Sequence, residues 1–69
     1  MDDSDLQNRF THHMLDGERE ERCQRIRFAM LSAARLVNGE CPESREKSLA
    51  VTHLEDAAMW ASAAIARRK

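Results

Sequence analysis

Apolar positions recur at helical spacing in two stretches of this chain. Cys23, Ile26, Met30, Ala33 and Val37 follow one another at alternating steps of three and four, as do Val51, Leu54, Ala58, Ala61 and Ile65. Such steps keep side chains on one face of a helix, so each series predicts a packing stripe. Phe28 to Leu31 add a second stripe off the first seam, and Leu49, Met59 and Ala63 widen the second. Six alanines between Ala57 and Ala66 make the second helix apolar on more than one side. A helix of that kind is buried on more than one side.

Capping signals set the expected boundaries. Asp16-Gly17 starts helix 1, with Asp16 able to accept from free backbone N–H groups, and Asn38-Gly39 ends it, giving residues 16–38. Pro42 suits a first-turn position, and helix 2 is expected over residues 42–67. Arg67, Arg68 and Lys69 complement its negative end. Two long helices joined so tightly run antiparallel. Glu18 and Glu21 stand four residues before Arg22 and Arg25, pairs worth about 0.2–0.5 kcal/mol each. Residues 1–9 are polar and acidic and are expected to fray. Residues 10–15 (FTHHML) have no sustained period and predict a short docking segment.

Composition turns a hairpin into an assembly problem. One domain of 69 residues has 42% apolar and 33% charged residues and only three aromatics, Phe10, Phe28 and Trp60. Below roughly 70–80 residues a single core rarely supplies more than about 3–5 kcal/mol, so a partner subunit is expected. Trp60, set among alanines, is expected in a packed core or interface. The fold class is therefore all-α: a short N-terminal segment and an antiparallel two-helix hairpin that assembles into a compact homo-oligomer. The formal net charge of −1 disfavours a DNA or RNA duplex as partner, because phosphate neutralisation needs a basic excess. A small anion held by a few local arginines remains compatible. No apolar run approaches the ~20 residues of a membrane span. Cys23 and Cys41 form no CxxC pair and read as reduced thiols, with no metal site and no cofactor implied.

Enzymatic chemistry is weakly indicated. Ser48, Thr52 and Asp56 share a helix face, but Thr52 and His53 are adjacent and diverge by about 100°, too far for a nucleophile and its base. Glu55 and Asp56 could suggest an acid–base pair, but a solvated helix face explains them better. Binding is better served. Arg45, Ser48 and Thr52 align at i, i+3 and i+7 beside a helix N-terminus, where guanidinium, hydroxyls and backbone N–H groups can meet an anion. From spacing alone, an exposed arginine paired with Glu46 or Asp56 and two hydrated hydroxyls is the favoured reading. Phe10, Thr11, His12 and His13, with the arginines of helix 1, offer rings for stacking and charge for phosphate; the alternative is an anchoring Phe10 with surface histidines.

CPESREKSLAVTHLEDAAMWASAAIARR, together with NRFTHH and the later RIR, resembles the helical hairpin of phage proteins that act as sponges against CBASS, the cyclic-oligonucleotide-based anti-phage signalling system. A related hairpin occurs in sponges against Thoeris. The resemblance implies a homohexamer in the cytoplasm of the infected bacterium. It implies sequestration of intact cyclic dinucleotides, and of cyclic trinucleotides at a separate site, by a protein that is not an enzyme. Carried over by position, the dinucleotide pocket involves His12 and Arg27 with Phe10 nearby; relatives often have tyrosine where His12 stands. The trinucleotide site falls to Arg45, Ser48 and Thr52. The competing expectation is a structural or regulatory helical oligomer that binds a protein partner. A small transcriptional regulator comes third.

Overall fold

The computed structural model describes residues 1–10 and 17–68, which form three helices and no strand. These are α1 (Asp3–Arg9), α2 (Gly17–Glu40) and α3 (Arg45–Arg68). Asp16, expected as a cap, and all of the docking segment except Phe10 lie outside the described residues.

Residues 3–9 are helical where fraying was expected. Asp2 adopts the extended backbone of a cap residue, Asp3 and Asp5 occupy the first turn, and Arg9 the last. That charge order suits the helix dipole. Seven residues cannot hold a helix alone in water, because nucleation costs more than so few hydrogen bonds return. Docking makes the difference. Leu6 and Phe10, four residues apart, are 0% and 5% exposed and pack in one cluster with Ala34, Val51 and Ala58. An ion pair and a hydrogen bond add to the hold: the Arg35 Nε donates to Asp3 Oδ1 at 2.7 Å, and Asn38 Nδ2 donates to the Met1 carbonyl at 2.7 Å.

Helix α2 runs on to Glu40, past the expected stop at Asn38-Gly39. The Cys41 N–H still donates to the Val37 carbonyl at 3.0 Å, so the backbone stays helical through Gly39. Glycine permits a left-handed cap without imposing one. Conversely, α3 begins at Arg45, three residues after Pro42. Ser44 determines that start: its Oγ accepts from the Lys47 N–H at 3.2 Å and donates to the Pro42 carbonyl at 3.0 Å. A serine at the cap position satisfies one of the orphan donors of the first turn.

The two long helices pack against each other along most of their length. Cys23 and Ala34 are the fully buried apolar residues of α2, and Val51, Ala58 and Ser62 line the matching face of α3. Ala34, one residue off the expected stripe, is fully buried, while Ala33 of that stripe is half-buried. Phe28, Leu36, Leu49, Met59 and Trp60 point away from this seam and are 44–66% exposed. Trp60 is therefore no part of the hairpin's own core. The result is a rod of 38 × 19 × 15 Å.

Candidate functional site

Beyond the end of α1, at the half of the hairpin away from the 41–44 turn, the packing leaves a half-open recess of about 340 Å³. That lies near the lower end of the roughly 300–1,000 Å³ range of small-molecule pockets. Arg9 and Phe10 bring α1 to its wall, Arg27 comes from α2, and Glu55, Asp56, Ala58, Met59 and Ser62 come from α3. The α3 contribution follows from periodicity, since positions 55, 58, 59 and 62 lie on one face.

Two guanidiniums border the recess. Arg27 Nη2 donates to Glu20 Oε2 at 2.8 Å, and both side chains are largely buried. Arg27 Nη1 is buried without a hydrogen-bond partner among the described residues. A buried donor left unmet costs roughly 1–3 kcal/mol, so an acceptor arriving there is favoured. Arg9 is held differently. Its Nη2 donates to Glu55 Oε1 at 2.9 Å and to Thr52 Oγ1 at 3.1 Å, and its Nε reaches the same Glu55 oxygen at 3.3 Å. Arg9 and Glu55 each keep about a third of their side-chain surface in water (30% and 35%).

Two of the residues expected at a dinucleotide pocket, Phe10 and Arg27, thus line one recess; His12 lies outside the described residues. Phe10 is a core residue as well as a wall, with little ring surface open to a ligand. Of the trinucleotide candidates, Arg45 and Ser48 are exposed at the start of α3, whereas Thr52 is half-buried and turned to Arg9. The first turn of α3 has already committed the Lys47 N–H to Ser44. Glu55, expected on a solvated face, is instead clasped by Arg9 from 46 residues away. Periodicity missed Arg9 and Glu55 because they meet across 46 residues, and Glu20 because its pair with Arg27 spans seven residues, beyond the three- and four-residue steps at which helical ion pairs are sought.

Among the described residues no group of three or more His, Cys, Asp or Glu side chains is placed to hold a metal ion. Among them also, no helix is long and apolar enough to cross a membrane.

Fold and recess together define a helical hairpin with a short docked N-terminal helix and an arginine-bordered cleft. The chain matches the family described as Acb2/Tad1, hairpin domain, over residues 2–66. It belongs to that family, the sponges that act against CBASS and Thoeris defence. No curated protein and no solved structure gives a match.

Proposed function

We propose that this protein is a phage-encoded sponge that binds cyclic oligonucleotide immune signals in the cytoplasm of the infected bacterium and withholds them, uncleaved, from CBASS effectors. Membership of the hairpin family carries the proposal. The recess supports it: two arginines stand at one opening, and one of them has an unmet buried donor, as suits a small phosphodiester. Cyclic dinucleotides are the ligands assigned to Phe10, His12 and Arg27; cyclic trinucleotides are assigned to Arg45, Ser48 and Thr52. A sponge needs tight binding and no reacting group. A nanomolar dissociation constant corresponds to about −12 kcal/mol.

The assembly is a homohexamer in this proposal. An isolated chain of 7.9 kDa would have about 4,400 Å² of accessible surface if compact. This one has 4924 Å² and leaves Trp60 and Phe28 62% and 66% exposed. Other copies of the chain would cover these residues and close the recess from its open side, which reduces the ordering cost of binding.

Recovery of the ligand tests the sponge mechanism. Protein incubated with a cyclic dinucleotide is heat-denatured, and the released nucleotide is chromatographed. The expected product is the intact cyclic compound in stoichiometric yield. A linear dinucleotide or mononucleotides would mean an enzyme and would overturn the proposal.

A further inference from the structure

The recess holds a second cation whose role the ligand assignments above leave open. Arg9 lines the recess together with Arg27, and so do Glu55 and Asp56. These carboxylates repel an incoming phosphate while the guanidiniums attract it. The ion pair between Arg9 and Glu55 is the adjustable element. It is partly hydrated, at 30% and 35% side-chain exposure. Solvent-exposed pairs are worth only about 0–1 kcal/mol, and this half-buried pair keeps enough contact with water for a phosphate to replace Glu55 at the guanidinium while the carboxylate turns to solvent. Arg27 and Glu20 differ, being 14% and 9% exposed, and are not expected to part so readily.

We propose that Arg9 is a second phosphate-binding residue of this recess and that Glu55 is its resident counter-ion, displaced by the ligand. The inference rests on the sponge proposal and adds a ligand requirement to it. One phosphodiester engages Arg27 and another engages Arg9, so a ligand with two separated phosphates is preferred over one with a single phosphate. Glu55 then weakens binding by competing for Arg9. Thr52 Oγ1, 3.1 Å from Arg9 Nη2, keeps the guanidinium in place when the carboxylate leaves.

The test uses the full chain and calorimetric titration with cyclic di-AMP, cyclic di-GMP and cyclic GMP–AMP, with AMP as the single-phosphate control. Arg9→Ala should weaken dinucleotide binding by about tenfold or more, the effect of losing a charge-assisted hydrogen bond. Glu55→Gln keeps the size of the side chain and an acceptor for Arg9 but removes the charge. It should strengthen dinucleotide binding several-fold while affecting AMP less. A purely structural clasp between α1 and α3 predicts no such opposition, since breaking it from either side would weaken binding. Should Arg9→Ala fail to fold by circular dichroism, Glu55→Gln decides alone: a gain supports the assignment, and no change or a loss overturns it. If the wild type binds a dinucleotide and the variants do not move in opposite directions, only this inference falls. If the wild type binds none of the three dinucleotides, the sponge proposal falls and this inference with it.

Discussion

At the scale of single residues, Arg27 combines two jobs that a sequence cannot separate. It carries the charge assigned to a phosphate and it neutralises Glu20, which is only 7% exposed. Arg27→Ala should therefore lower cyclic dinucleotide affinity by about tenfold or more and also cost about 1–3 kcal/mol of stability. Titration calorimetry and denaturant unfolding read the two effects separately; unchanged affinity would show that the pocket is elsewhere. The cysteines make a simpler contrast. Cys41 is exposed in the 41–44 turn and Cys23 is fully buried. A thiol reagent should label Cys41 at once and Cys23 only as the chain unfolds, and equal rates would contradict the packing of α2. Arg27 could be singled out from sequence because the RIR motif carries it. Arg9 and Glu55 could not, since neither spacing nor charge order brings together residues 46 positions apart.

At the scale of elements, the two long helices were readable because their apolar steps of three and four are regular. Helix α1 was not, because six polar residues around a single leucine give no amphipathic period. Only Leu6 and Phe10 mark its buried face, and their value comes from partners on α2 and α3. Leu6→Ala should cost about 2 kcal/mol or more, as expected for a fully buried leucine, and hydrogen exchange should quicken first in α1. Uniform exchange along the chain would mean that α1 is not docked through Leu6. The start of α1 and the connection between α2 and α3 also respond to acid. The hydrogen bond from Arg35 holds the Asp3 carboxyl below its ordinary value of 3.8, and the bond from Lys47 holds Glu43 below its ordinary value of 4.5. A carboxylate whose folded pKa is lowered contributes above its unfolded value and stops contributing as the pH falls through the folded one. The stability difference between wild type and Asp3→Asn should therefore be present near neutrality and vanish in strong acid. Thermal unfolding at a series of pH values measures this, and a difference that persists below the carboxylate range would contradict it. Ser44 explains why α3 starts three residues beyond Pro42: proline is compatible with a first turn, but the hydroxyl that caps Lys47 lies two residues further on.

At the scale of the whole molecule, the hairpin leaves large apolar side chains uncovered and its recess is open on one side. Both features follow from a chain too short to enclose two long helices. Trp60→Ala should thus change little within the hairpin but break its assembly, seen as slower sedimentation with helicity retained. A variant that sediments like the wild type would remove Trp60 from the proposed interface. The class of ligand came from the pattern of motifs, whereas the composition only excluded partners that demand a basic excess. Calorimetric titration of the wild-type protein with cyclic dinucleotides addresses the central claim most directly. Saturable binding, submicromolar or tighter and at fixed stoichiometry per chain, is the predicted result; absence of heat and of competition with cyclic di-AMP, cyclic di-GMP, cyclic GMP–AMP and cyclic trinucleotides alike would contradict it.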